Sequence, residues 1–275
     1  MKHPGGAITT ARVFVRRTSF TPDDDLAFIG EPPLYRPDVD SVHVSCVFTW
    51  DKAEALRLRD SWARYYDNVQ VGGPAFDDPG NEFVPGMYLK RGITITSRGC
   101  PKKCPWCFVP KREGALREYA FIPVGHIIQD NNLLACSRGH IEGVFEMLRW
   151  QNKAAKFSGG LDIDFLRPWH VDLLQTIKVK ELWVACDTEA ALKRLRRVAG
   201  LLSDFPIEKK RCYVLIGHNT SLDECEDRCG KVLAMGFLPF AQLYRSPDRE
   251  INWTKEWKAL QRKWSRPAIY RSATC

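Results

Sequence analysis

The sequence predicts an α/β fold: six parallel strands forming an open sheet or partial barrel, preceded by a small N-terminal α/β unit. Three observations predict it. From residue 92 onward, short β-branched runs alternate with amphipathic helical runs, as parallel β-α units do. Six such strands fit between residues 92 and 245, too few for a complete eight-fold barrel, which usually takes about 250 residues. The whole chain has 275 residues, 44% hydrophobic and 27% charged, enough for one large domain together with a smaller one.

Each element follows in order. ARVFVRR (11–17) and SVHVSCVFT (41–49) read as strands by β-branched and aromatic enrichment. WDKAEALRLRDSWARYY (50–66) has helical periodicity, with Ala53, Leu56, Ala63 and Tyr66 close to one stripe. NVQVGGP (68–74) is a strand ending in glycines, and residues 73–86 form a Gly, Pro and Asp-rich linker. These make up the N-terminal unit, residues 1–90.

The barrel region, 91–248, begins with GITITS (92–97), the strand that delivers a cysteine-rich loop. GHIIQDNNLLAC (125–136) starts as a strand and turns polar at Asp130-Asn131-Asn132. A helix at 140–152 precedes a strand at 154–164, which contains Gly159-Gly160. A helix at 168–177 has Pro168 placed for its first turn. Next come a strand at 181–188 and a helix at 189–202 with a basic, solvated face. The strand at 211–219 is the most apolar, as expected of one buried on both faces. Ser221 and Glu224 have the spacing of a capping box for a helix running to about Met235, and 237–245 is the last strand. The tail, 249–275, reads as one amphipathic helix with Trp253, Trp257, Leu260 and Trp264 on a stripe and Lys255, Lys258, Arg262 and Lys263 opposite.

No apolar run approaches the roughly 18–20 residues that cross a bilayer. The first 25 residues lack the apolar core of a signal peptide, so cytoplasmic residence and no membrane partner are expected. In a reducing compartment, clusters among the ten cysteines point to metal or redox chemistry rather than disulfides. A formal charge of +8 permits an anionic partner such as nucleic acid, although the basic residues are scattered. Lys102, Lys103, Lys111 and Arg112, with the basic face of the tail, make the best case for an anionic substrate.

Cys100, Cys104 and Cys107 are spaced C-x3-C-x2-C. Structural zinc takes four ligands, commonly from two separated pairs, and no second pair follows. Cys225 and Cys229 are spaced for a helix packing face instead. A C-x-x-C redox pair leaves Cys100 idle and usually opens a helix, whereas Pro110 follows closely here. An iron–sulfur cluster accepts thiolates from one tight loop, and three ligands leave one iron open. The loop also follows a strand's C-terminal end, where α/β barrels gather their chemistry.

CPKKCPWC resembles the signature of radical S-adenosylmethionine (radical SAM) enzymes, including an aromatic residue, Trp106, before the last cysteine. SRGCPKKCPWCFVP is similar to the cluster loops of the methylthiotransferase and cobalamin-type branches. The resemblance covers roughly residues 90–245 and implies a partial (β/α)6 barrel.

It also implies a [4Fe–4S] cluster on Cys100, Cys104 and Cys107 whose fourth iron binds S-adenosylmethionine. Reductive cleavage would give a 5′-deoxyadenosyl radical that removes hydrogen from a substrate. A reductant protein of flavodoxin or ferredoxin type would supply the electron. By strand order, Asp130, Asn131 and Asn132 stand where the family holds the methionine amino group, although SGGLD (158–162), on the third strand, is closer by letters. Asp187 would contact the ribose or carboxylate. Ile216 and Gly217 would flank adenine in a G-x-I-x-G-type element that lacks its first glycine here, and Trp106 would lie near adenine.

VQVGGPA resembles the end of a cobalamin-binding domain. No D-x-H-x-x-G precedes it, so cobalamin is not expected, and the unit reads as a remnant that covers the barrel or binds substrate. Cys46, Cys186 and Cys212 lie in apolar strands as small hydrophobes, and no second local triplet suggests a second cluster. The alternative function is a zinc-stabilised nucleic-acid-binding protein without catalysis.

Overall fold

Valines two residues apart build the first sheet, because alternate side chains of a strand share a face. In the computed structural model, which describes residues 9–78, 80, 82–246 and 250–272, Val13, Val42 and Val44 are all buried. The chain divides between Thr94 and Ile95 into two compact units, each with its own apolar core.

The first unit has strands β1 (Thr10–Phe14), β2 (Ala27–Ile29) and β3 (Ser41–Ser45), helix α1 (Lys52–Trp62) and strand β4 (Val69–Gly72). All pairings are parallel, in the order β2-β1-β3-β4, with Val13 opposite Val44 and Val42 opposite Val69. Helix α1 buries Ala55, Leu58 and Trp62, whereas Ala53, Leu56 and Ala63 of the predicted stripe are exposed. Trp62 decides the face: its ring is wholly buried against Phe28 and Tyr66, and its Nε1 donates to Gly30 O at 3.0 Å. Strand β2 escaped prediction because three residues are too short to show alternation. The expected linker is partly folded, since Pro74–Phe76 forms a 3-10 turn that buries Ala75.

The second unit alternates strands and helices. The short strands β5 (Ile93–Thr94), at the division, and β6 (Ser97–Arg98) replace the single strand predicted at 92–97. Helix α2 (Val109–Arg112) and strand β7 (Arg117–Glu118) follow, then β8 (Ile127–Ile128), α3 (Arg138–Gln151), β9 (Ala155–Phe157), α4 (Pro168–Gln175), β10 (Val179–Ala185) and α5 (Glu189–Leu201). Next come β11 (Lys210–Ile216), α6 (Leu222–Ala234) and β12 (Leu238–Leu243). The tail forms two helices, α7 (Lys255–Trp264) and α8 (Pro267–Ser272), instead of one. Pro267 lacks the N–H that would continue α7, and α8 starts at it. Trp253 precedes α7, while Leu260 and Trp264 are its buried residues.

The six-stranded sheet runs in chain order, β12-β11-β10-β9-β8-β5, and the pairings from β8 to β12 are parallel. The fold is therefore α/β with parallel sheets, as predicted. Helix α3 buries Ile141, Val144, Phe145 and Leu148 at helical spacing, each such side chain contributing about 1.5–3 kcal/mol. Ser221 and Glu224 form the expected capping box of α6.

Burial along β11 alternates, which corrects the expectation of a strand buried on both faces. Cys212, Val214 and Ile216 enter the core, whereas Tyr213 stacks on Trp183 of β10 at 4.3 Å between ring centroids, with Phe240 of β12 edge-on. The basic face of α5 is only partly solvated: Arg197 donates to Ile163 O at 2.6 Å and to Leu166 O at 3.2 Å. Among the described residues, no helix is long and apolar enough to cross a membrane.

Candidate functional site

Parallel strands bring their C-terminal ends to one sheet edge, where connecting loops can meet. The loop carrying the three cysteines leaves β6 and returns in β7, and these strands pair antiparallel with Ser97 opposite Glu118. At the neck, Arg98 Nη1 lies 3.0 Å from Glu113 Oε1, both side chains being largely buried. Gly99 has φ +80°, and a Cβ there would stand 2.1 Å from Ala115 O, so only glycine lets the two sides of the neck approach. The chain then turns through Cys107 N to Cys104 O at 3.0 Å and into α2. Helix α2 is a single turn, so the C-x-x-C pair does precede a helix despite Pro110.

Of the nine cysteines among the described residues, all free, Cys46, Cys136, Cys186, Cys212, Cys225 and Cys229 are buried. Cys100 and Cys104 are half-buried and Cys107 is exposed. Cys225 and Cys229 lie on the packing face of α6, as their spacing predicts. Burial, then the neighbouring Cys107 thiol, pushes the Cys104 thiol up.

Two neighbouring segments hold the loop. Asn131 Oδ1 accepts from Gly99 N at 2.9 Å. Asn132 Nδ2 donates to Cys100 Sγ at 3.3 Å and to Asp162 Oδ2 at 2.9 Å. Lys102 Nζ, within the loop, binds Asp162 Oδ1 at 2.8 Å and Asp164 Oδ2 at 2.6 Å. Asp164 pairs in turn with Arg194 of α5 at 2.6 Å. Lys102 is thus engaged by carboxylates and is not the open cation expected for an anionic substrate.

Asp130 serves the fold. Its Oδ1 accepts from Thr96 N at 2.8 Å, and its Oδ2 from Thr96 Oγ1 and Ser97 Oγ, each at 2.6 Å. Thr96 Oγ1, having donated its proton, accepts from His140 Nε2 at 2.9 Å. Burial pushes the Asp130 carboxyl up, and these donors hold it down. Asn132 differs: it is 3% exposed, and its Oδ1 has no hydrogen-bond partner. SGGLD sits beside this segment, since a Cβ on Gly159 would lie 2.2 Å from Asp130 O.

Beyond the loop, Trp106 lines one cavity with Asp187, two residues past β10, and its indole favours the charged form of that carboxyl. Burial raises the Asp187 carboxyl, opposed by the donor Leu215 N at 3.1 Å, by Trp106 and by the Arg228 charge. Trp106 also meets His218 edge-on at 5.5 Å, and His218 meets Tyr244 at 4.6 Å. A cavity of about 510 Å³ opens here, lined by Trp106, Asp187, Thr188, His218, Asn219 and Arg228 among others. That volume lies within the usual range for small-molecule sites.

Ile216 and Gly217 are placed differently from expectation. The Ile216 side chain is in the core and its carbonyl accepts from Tyr244 N at 2.9 Å. A Cβ on Gly217 would meet the Trp253 ring at 2.3 Å, so the glycine admits that ring. The cavity wall there is His218, which sequence reasoning passed over although it follows Gly217 directly. Arg228 gave no signal within the charged run DECEDRC, yet it is 2% exposed and bonds Leu215 O at 2.8 Å.

Among the described residues, no three His, Cys, Asp or Glu side chains converge on a point suited to one metal ion. In an iron–sulfur cluster each thiolate binds a different iron, so its donors need not share a point. The loop offers three thiols outside the core, an amide donor to one of them and an unpartnered buried acceptor alongside. No protein-family model and no curated protein matches the chain.

Proposed function

We propose that the chain is a radical SAM enzyme whose [4Fe–4S] cluster is held by Cys100, Cys104 and Cys107. One observation carries the reading: the three cysteines that stay outside the core among the nine described share one loop, with C-x3-C-x2-C spacing, between the antiparallel strands β6 and β7 and bonded to Asn131 and Asn132 just past β8. On this reading the six strands in chain order are a partial (β/α)6 barrel, and the protein works in a reducing, cytoplasmic setting. When bound and reduced, the cluster supplies one electron that cleaves S-adenosylmethionine to a radical able to remove hydrogen from a substrate.

The chain's own residues bind and orient. Asn132 Oδ1, buried and unpartnered, is the acceptor for the amino group of S-adenosylmethionine. Trp106 and His218 give the cavity aromatic walls for adenine, and Asp187 is the polar group at the same mouth. Trp106, in the cysteine loop, forms part of the wall of that cavity. The substrate is anionic, with a nucleic acid as the leading class: Lys103 and Lys111 of the loop and Lys255, Lys258 and Arg262 of α7 are exposed. The electron comes from a flavodoxin- or ferredoxin-type protein.

The test is anaerobic reconstitution with iron and sulfide, followed by a reductive assay with S-adenosylmethionine. The expected result is a brown protein that forms 5′-deoxyadenosine, both properties being lost in Cys104→Ala. Full iron loading without 5′-deoxyadenosine overturns the proposal. Stoichiometric zinc with salt-sensitive nucleic-acid binding and no affinity for S-adenosylmethionine establishes the non-catalytic alternative instead.

A further inference from the structure

We propose that the Asn132 carboxamide sets how readily the cluster takes up its electron, with Asp162 as the positioning residue that keeps the amide turned to donate. The inference rests on the function proposed above. A carboxamide has two N–H donors on one side and an acceptor on the other. Asn132 gives one donor to Asp162 Oδ2 at 2.9 Å and the other to Cys100 Sγ at 3.3 Å. Turned over, its oxygen would face a carboxylate and a sulfur together, so the pairing with Asp162 fixes the orientation. Asp162 is itself held by Lys102 Nζ at 2.8 Å and by Asp164 N at 3.0 Å. The ion pair of Asp164 with Arg194 carries this support to helix α5, outside the loop.

Reduction adds negative charge to the cluster and its sulfurs, and an N–H aimed at a ligand sulfur stabilises the charged form. Such hydrogen bonds are among the factors that set cluster potentials. Hydrogen bonds to charged groups are roughly twice as strong as neutral ones. Losing this one should therefore make the cluster about tenfold harder to reduce, about 59 mV for one electron. Neutral leucine is the informative replacement, because aspartate would add a charge of its own.

The experiment uses the full chain, reconstituted anaerobically and without S-adenosylmethionine, so that Asn132 Oδ1 has no ligand to accept from. Midpoint potentials are measured by dye-mediated titration followed by electron paramagnetic resonance. Asn132→Leu is expected to lie at a more negative potential than wild type by about the tenfold step above. With asparagine labelled by 15N in the side chain, pulsed resonance on the reduced wild-type protein should show a coupled nitrogen. That coupling should vanish in Asn132→Leu and weaken in Asp162→Asn, where the amide can turn. A fully loaded Asn132→Leu at the wild-type potential, or a wild-type protein without side-chain 15N coupling, overturns the inference. If Asn132→Leu fails to load, the wild-type coupling still decides. Failure of wild-type protein to assemble a [4Fe–4S] cluster instead removes the underlying functional proposal.

Discussion

Trp106 and Asp187 line one cavity, so the residue preceding Cys107 stands at the end of β10, where its indole favours the charged form of the carboxyl. That polar influence makes the tryptophan more than a hydrophobic plug in the cavity wall. Trp106→Phe keeps a ring against His218 but removes the only donor that the indole has. Binding of S-adenosylmethionine to the reconstituted protein, followed by calorimetry, should weaken about tenfold, as expected for loss of one polar group beside a buried carboxylate. Unchanged affinity would reduce Trp106 to packing.

Lys102 fastens the other side of the loop. Lys102→Met leaves Asp162 without its cation while Asp164 keeps Arg194, and a third of the lysine side chain is already exposed. The expected outcome is a loss of about 1–2 kcal/mol in denaturant unfolding, with faster proteolysis at Lys103 and Lys111. Unfolding and loop proteolysis at wild-type values would show that the ion pairs do not hold the loop.

Asp130 should matter for folding whether or not a cofactor is present. Asp130→Ala strands Thr96 N and Ser97 Oγ, both buried, and should cost about 3 kcal/mol or more. Thermal unfolding of apo and reconstituted protein should fall together. A defect confined to S-adenosylmethionine binding would instead make Asp130 a ligand.

Gly99→Ala tests the neck. Its positive φ and the Ala115 carbonyl 2.1 Å from any Cβ require the backbone to move. Stability should drop by about 2 kcal/mol, and iron retention on gel filtration should fall with it. An alanine variant as stable and as iron-rich as wild type would show that the neck is not tight.

His170 provides a pH signature. Burial, helped by the nearby Arg167 charge, lowers its pKa from 6.5 to about 4. Between these values the unfolded chain takes up a proton that the folded chain refuses, so stability falls as pH drops from 6.5 and levels off below about 4. The full loss is about 3 kcal/mol. His170→Gln should flatten that part of the stability profile while leaving it unchanged above pH 7. A variant that keeps the wild-type slope would place the titration elsewhere.

The alternation of strands and helices was legible because each second-unit helix carries its own apolar spacing, as α3 does with Ile141, Val144, Phe145 and Leu148. The face of α1 was not, because its winner, Trp62, was outweighed by four apolar residues on another stripe. The strands β2, β5, β6 and β7 have two or three residues each, too few for a period to show. In the site, the thiols were visible from spacing alone. Asn132, Asp162 and Lys102 were not visible as a group, because their contacts join three segments that only the sheet brings together. Asp130 and Asn132 carry similar side chains in one triplet, and only the structure separates the one whose oxygens are engaged from the one with an oxygen to spare.

The sorting of the cysteines gives the folded protein a built-in gauge. Burial pushes the thiols of Cys136, Cys186 and Cys229 up to about 12, so at neutral pH they are both shielded and protonated. With Cys275, outside the described residues, replaced by serine, an alkylating dye meets three open thiols, all in the loop. Dye uptake per chain then reports how many of Cys100, Cys104 and Cys107 are unliganded, so on the function proposed above cluster occupancy would be followed on intact protein without chemical iron analysis.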